Sequence, residues 1–136
     1  MTQYMDCIVF LLAKAYQKSQ NHLKTKLRPY GLTSVQALLL EALWEEQGLT
    51  AGEIGKRLAL DNATVSGVLE RLADARWIIK KNDPADKRVI RVYLSTKAMK
   101  HEASLIQERT IANDEILHGF SDAEKILLKR FLKDLL

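Results

Sequence analysis

The chain has 136 residues, with 21 Lys and Arg against 17 Asp and Glu for a net charge of +4, and a single cysteine. That length suits one domain, no run approaches the ~18 apolar residues of a membrane span, and the N-terminus lacks the basic stretch and apolar core of a signal peptide. One cysteine excludes an internal disulfide and fits a reducing compartment, so a cytoplasmic location is expected.

A first helix is predicted from about Gln3 to Arg28, with Met5, Ile8, Val9, Leu12, Tyr16, Leu23 and Leu27 on one broad stripe; Pro29 and Gly31 end it. Thr33-Ser34-Val35-Gln36 fits a capping box and opens a helix holding Val35, Leu38, Leu39, Ala42 and Leu43. Thr50-Ala51-Gly52-Glu53 and Ser121-Asp122-Ala123-Glu124 fit the same box, so three helix starts are marked.

From Leu49 to Leu72 the pattern is two short helices across a tight turn. Ile54 and Leu58 form the apolar stripe of the first, and Val65, Val68, Leu69 and Leu72 that of the second. The outward face of the second carries Asn62, Thr64, Ser66, Gly67, Glu70 and Arg71, which can meet base edges and phosphates or let the backbone come close. Such a helix-turn-helix holds its second helix where it can enter the major groove of DNA.

Trp77–Lys81 and Val89–Leu94 are β-branched, partly alternating runs, and Asn82 to Arg88 between them is rich in turn-formers, so a β-hairpin wing is expected. Lys87 and Arg88 fall at its tip, where a basic side chain finds the negative potential of a DNA backbone or minor groove. Charge placement agrees: residues 71–100 hold nine cations against three anions, a surplus of six, while the rest of the chain sums to −2.

Beyond the wing, Thr96 is positioned to cap a long helix through about Leu117, and a last helix carries Ile126, Leu127, Phe131, Leu132 and Leu135. The apolar stripes of the first and last helices exceed what the central unit can cover, so a two-fold partner is expected to cover them. The fold class read from the chain is mainly α with a small β-hairpin wing.

Enzymatic chemistry finds little support. His22, His101 and His118 are dispersed, no metal-ligand spacing or phosphate-binding glycine loop is present, and Asp114-Glu115 and Glu45-Glu46 are sequence neighbours that point apart on a helix. No metal or cofactor is expected.

From about Gly31 to Ala98 the sequence resembles the multiple-antibiotic-resistance regulator (MarR) family of bacterial winged-helix repressors. The likeness is carried by Leu32-Thr33-Ser34-Val35-Gln36, Leu49-Thr50, Asn62-Ala63-Thr64-Val65-Ser66 and, above all, Asp83-Pro84-Ala85-Asp86-Lys87-Arg88 followed by Leu94-Ser95. The resemblance implies a single domain over 1–136, with a DNA-binding winged helix at 32–95 and dimerisation helices at 1–31 and 96–136. It implies a homodimeric repressor of a pseudo-palindromic operator, bound through Asn62, Thr64, Ser66, Gly67 and Arg71, and through Lys87 and Arg88 with Asp86 orienting Arg88 in the minor groove.

The same resemblance implies release of double-stranded DNA by a small aromatic effector in a cleft that Tyr16, Tyr30, Trp44 and Trp77 are candidates to line. The chain departs from the family pattern at Gly67, where an arginine is frequent, and at Arg76 and Ala98, where glycine is. One branch senses organic hydroperoxides through a cysteine in the first helix. Asp6 and apolar neighbours disfavour a thiolate at Cys7, which therefore reads as a small apolar helix residue. A thiol-sensing regulator and a protein-interaction module built on the winged helix stand as alternatives.

Overall fold

The computed structural model describes Gln3 to Leu136; the first two residues of the expected 1–31 arm lie outside the described residues. Helix α1 is Ile8–Leu27, preceded by a 3-10 turn at Gln3–Asp6. The expected start at Gln3 is therefore corrected. Cys7 takes an extended conformation with ψ 118° and caps α1 from an exposed position rather than lying within it. Its amide donates to the Tyr4 carbonyl at 3.1 Å, and the Tyr4 and Phe10 rings meet edge-on at 5.1 Å across the break. Of the residues in α1 only Leu27 is buried.

A second 3-10 turn, Arg28–Tyr30, contains Pro29 and closes on Gly31 at φ 68°. Helix α2, Ser34–Glu45, then begins with both bonds of its capping box: Gln36 N donates to Thr33 Oγ1 at 3.2 Å, and Thr33 N to Gln36 Oε1 at 2.9 Å. This is the central helix. Leu39, Leu40 and Leu43 have no exposed surface, whereas Leu38 is 45% exposed, so the buried face is rotated towards Leu40 from the one the spacing suggested.

Strand β1, Leu49–Thr50, leads into helix α3, Ala51–Leu58, where Thr50 accepts from Glu53 N at 3.2 Å. Ala59 turns the chain at φ 54°, and helix α4, Asn62–Asp74, starts under the Asp61 carboxylate, which accepts from Thr64 N at 2.7 Å. Strands β2, Ile78–Asn82, and β3, Ile90–Leu94, form the hairpin in the register Ile78↔Leu94 to Asn82↔Ile90. β1 pairs on the other side of β3, giving the antiparallel order β1-β3-β2. The sequence predicted the hairpin but not β1.

Helix α5, Thr96–Ile116, returns across α1 and α2. Its cap is Ser95, which accepts from Ala98 N at 3.2 Å; Thr96, expected in that role, is the first helical residue. Ser95 has an alanine rather than a Glu or Gln three residues on, so it shows no box signature. Helix α6, Asp122–Asp134, has a complete box with Ser121 and Glu124.

One core joins α2, α3, α4, the sheet and α5 through Leu39, Leu43, Ile54, Val65, Trp77 and Leu105. Each such side chain contributes roughly 1.5–3 kcal/mol by leaving water. α6 contributes nothing to it, having no buried residue.

Where glycine was expected after α4, Arg76 itself adopts the left-handed region at φ 64°. The turn closes because Arg76 N donates to Ala73 O at 3.0 Å and Trp77 N to Leu72 O at 2.9 Å, satisfying the last carbonyls of α4. The exposed Arg76 side chain makes the conformation costly without offsetting burial. Arg76→Gly is expected to raise unfolding stability by about 0.5–1 kcal/mol, measured by urea denaturation with an unchanged m value. A lower midpoint would show that the arginine side chain holds the turn.

Candidate nucleic-acid interface

The position of α4 is set by its buried face. Val65 and Leu72 have no exposed surface, Leu69 and Val68 have little, and their burial leaves the opposite side of the helix facing solvent. α3 crosses close beneath it: a Cβ on Gly55 would stand 3.0 Å from the Leu60 carbonyl oxygen and 3.2 Å from Val65 Cγ2. Arg57 pairs with Glu46 and ties α3 to the end of α2. With its support fixed, α4 presents Asn62, Thr64, Ser66 and Arg71 as exposed residues and Gly67 as a half-exposed one, all off its buried stripe.

Asp61 holds its carboxyl below the usual aspartate range, chiefly because Thr64 N donates to it. The first turn of α4 thus carries a fixed anion of its own.

The wing adds a second element to this surface. Its loop is closed by Asp83 N to Val89 O at 2.8 Å, Val89 N to Asp86 O at 2.9 Å and Asn82 Nδ2 to Lys87 O at 2.6 Å. Asp86 then grips Arg88 with both oxygens: Nε donates to Oδ1 at 3.1 Å and Nη2 to Oδ2 at 3.2 Å, while the Arg88 amide also donates to Oδ1 at 3.0 Å. The Arg88 hydrogen bonds lower the Asp86 pKa and keep the carboxylate charged. Such a two-pronged pair fixes the plane of the guanidinium. Yet the Arg88 side chain remains 91% exposed, oriented but not covered. Lys87 beside it is exposed as well.

Helix and wing are contiguous. A shallow hollow of about 180 Å³ runs between them, lined by Ser66 and Leu69 of α4 and by Lys80, Ile90 and Val92 of the hairpin, with Ala51 at its edge. The apolar floor and the polar rim belong to the same outward surface.

Sequence reasoning missed the group that holds the wing to the body. Arg91 donates from Nε to Asp83 Oδ2 at 2.7 Å and from Nη1 to the Gly48 carbonyl at 2.9 Å, while Ala85 N donates to the other Asp83 oxygen at 2.8 Å. One arginine therefore spans from the wing loop to the residue preceding β1. Asp83 and Arg91 are eight residues apart, and only the hairpin register brings them together.

Not every cation counted in residues 71–100 faces outward. Arg91 is engaged as described, and Lys97 donates to Ala75 O at 3.0 Å with its ammonium 4.4 Å from the Trp77 ring centroid. Positive charge free for a partner lies nearer the wing tip and α4 than the count implied.

The four aromatic candidates for an effector cleft do not line one hollow, although Tyr30 and Trp77 both meet the His101 ring edge-on, at 5.8 and 5.4 Å. Trp77 is 2% exposed in the core, Tyr30 and Trp44 pack against the core, and Tyr16 is 62% exposed on α1. A hollow of about 460 Å³ lies instead between α1 and the start of α2, lined by Gln20, Lys24, Arg28, Thr33 and Ser34 among others. His22 stands 3.5 Å from Glu115, which also pairs with Lys26 at 3.0 Å. Among the described residues no three His, Cys, Asp or Glu side chains gather as a metal site. Nor, among the described residues, is any helix long and apolar enough to cross a membrane.

A helix-turn-helix flanked by a three-stranded sheet whose hairpin projects an oriented arginine defines a winged-helix protein of the DNA-binding transcription-regulator class. Comparison with known proteins shows what the chain is similar to. Residues 32–90 match the profile described as MarR family. The HTH-type transcriptional regulator TtmR of Methylorubrum extorquens is 36% identical over 89 residues, a match covering 65% of this chain and 44% of that protein, so the chain aligns with less than half the length of this relative. BpsR of Bordetella bronchiseptica, whose DNA binding is regulated by 6-hydroxynicotinic acid, superposes with a TM-score of 0.92 at 24% identity, covering 99% of this chain and 96% of that one. A MarR variant from E. coli complexed with operator DNA superposes at 0.88 with 24% identity, covering 100% and 99%. The central part of the chain, residues 32–90, thus matches the MarR family profile, and the fold over the whole chain is the one seen in these solved structures.

The Arg91 bonds hold the Asp83 carboxyl below the usual aspartate range. A depressed carboxyl stabilises the wing at every pH above its unfolded value, and that contribution is lost only as pH falls through the lowered folded value. The Arg91 Nε–H resonance is therefore expected to stay constant from pH 7 down to the ordinary aspartate range and to move only in more acidic solution. In Asp83→Asn the acid transition should disappear. A wild-type midpoint at or above the usual aspartate value would show that the clamp is not formed in solution.

Proposed function

We propose that the chain is a homodimeric repressor of a pseudo-palindromic operator, with α4 reading the major groove and the wing tip anchoring the adjacent backbone or minor groove. The observation that carries this reading is the Asp86–Arg88 pair: two parallel hydrogen bonds hold a guanidinium that is otherwise almost wholly exposed. Its orientation is fixed before any partner arrives, which reduces the ordering cost of binding. Thr64, Ser66 and Arg71 on the contiguous face supply hydroxyl and guanidinium groups suited to base edges and phosphates, and Asn62 and Lys87 extend it at either end.

The dimer is supported by what the single chain leaves uncovered. Ile126, Leu127, Phe131 and Leu132 of α6 and Leu135 at its C-cap are between 41% and 69% exposed, and Met5, Ile8, Val9 and Tyr16 at the start of the chain between 53% and 70%. Patches of this extent mark an association surface. A two-fold copy would set the two α4 helices about one DNA turn, ~34 Å, apart.

Control by a small molecule is supported by the hollow between α1 and α2, where Lys24 and Arg28 beside the Gln20 and Ser34 side chains would favour a small aromatic acid. Filling it would wedge the arm from the reading domain and bias the spacing of the two α4 helices.

Purified protein is expected to bind duplex DNA with log K falling against log salt at a slope of about −5 to −9 per dimer, as neutralisation of roughly three to five phosphates by each subunit requires. Arg88→Ala should weaken binding and make the slope shallower, with unchanged circular dichroism and size. A slope near zero for the wild type would instead support a protein-interaction module that keeps the winged helix as a scaffold.

Deleting residues 121–136 should leave the central core folded, because α6 buries nothing within its own chain. The truncated chain is expected to be monomeric by light scattering and to bind DNA at least tenfold more weakly. A truncated chain that remains dimeric would place the association surface elsewhere.

A further inference from the structure

Three glycines lie within the helices of the helix-turn-helix, Gly52 in the first turn of α3 and Gly55 and Gly67 in helix interiors, and of the two interior ones the fold explains only one. Gly55 is required by the close crossing of α3 and α4, where a methyl group would strike the Leu60 carbonyl oxygen and Val65. Gly67 is different. It stands in the middle of α4 without a positive φ, and a Cβ built there meets nothing within 4 Å. At 100° per residue it falls almost opposite the stripe of Val65, Val68, Leu69 and Leu72, on the outermost line of the helix. A glycine in a helix interior is less stable than an alanine, since it loses more backbone freedom on folding. Packing and backbone geometry within the chain therefore both favour alanine at 67. What glycine alone supplies is the absence of the methyl group.

We propose that Gly67 is a specificity-determining position: its bare backbone lets α4 seat against base edges in the major groove at van der Waals distance. The proposal rests on the DNA-reading assignment above and adds to it the depth of docking. Thr64 and Ser66 have short side chains, so their hydroxyls reach a base edge only if the helix axis comes close. A methyl group at the outermost point would hold the helix back by about 1 Å, enough to stretch hydrogen bonds of ~2.9 Å beyond their useful range. Phosphate contacts from Lys87 and Arg88 at the wing tip are far less affected, because long side chains can follow the displacement.

The test compares wild type with Gly67→Ala on two duplexes, an operator selected from a random pool by the wild-type protein and an unselected duplex of equal length. Gly67→Ala is expected to melt about 2–4 °C higher, as a helix-interior alanine should. It should bind the operator at least tenfold more weakly and the unselected duplex within about twofold of wild type, with the same salt slope. Three results would overturn the proposal: operator affinity equal to or tighter than wild type, an equal loss on both duplexes, or a lower melting temperature, which would reveal packing that the glycine relieves. Failure of the wild type itself to select any sequence would overturn the reading assignment as well. A wild type that selects an operator equally well bound by Gly67→Ala would sink only the close-approach inference.

Discussion

The seating of one face of α4 against the core decides what everything else in the winged helix can do. Val65 and Leu72 are wholly buried, and they share a cluster with Leu39 and Leu43 of α2, Ile54 of α3 and Val92 of β3. A helix held on that many sides cannot roll, so the outward residues of α4 have a fixed azimuth. The constraint extends to the backbone of α3, whose Gly55 leaves no room between the two helices. Interiors packed to this density transmit a displacement rather than absorb it. The polar face is therefore an output of the apolar one.

Arg88 and Arg91 stand three residues apart and show how the same side chain is put to opposite uses. Each donates to an aspartate of the Asp83-Pro84-Ala85-Asp86 turn. Arg91, 35% exposed, spends its remaining donors on the Gly48 carbonyl and so locks the hairpin to the strand ahead of α3. Arg88, at 91% exposure, keeps donors directed outward while one edge is held by Asp86. The first arginine sets where the wing is, and the second sets what the wing offers. Because both carboxylates stay ionised well into acid, neither arrangement responds to pH near neutrality.

Local periodicity made the helices, the hairpin and the outward face of α4 readable, because each depends on side chains three, four or two positions apart. Features set by contacts distant in sequence were not readable. β1 has two residues, too few to show alternation, and exists because β3 supplies its partner atoms. The Asp83–Arg91–Gly48 bridge needs the hairpin register and a third element at once. Trp77, taken as the first wing residue and as a cleft candidate, is drawn into the core because the left-handed turn at Arg76 redirects the chain there. Ser95 passed unnoticed as a cap since its partner is a plain backbone amide with no acidic residue to mark it. Of the candidate DNA contacts on α4, Asn62, Thr64, Ser66 and Arg71 are exposed and Gly67 half-exposed, because the apolar spacing leaves all five off the buried stripe.

The arms impose a different kind of dependence. α1 is held at its far end, where Leu27 enters the core, Leu23 packs against it and Lys26 pairs with Glu115 of α5, while its first half is exposed; α6 buries nothing and is held in this chain by its cap and internal hydrogen bonds. An isolated helix of 13 residues is marginal in water, and the capping box of Ser121 with Glu124 adds only a modest increment. The five large apolar side chains of α6 and its C-cap would each gain roughly 1.5–3 kcal/mol on full burial, more than enough to make helix order and association a single event. The central unit meets the opposite condition, with a complete core in one chain. In the proposed dimer, fixed local geometry within each chain would be joined to a spacing set between two chains, an arrangement in which a ligand lodged between arm and reading unit would change DNA affinity without altering a single contact residue.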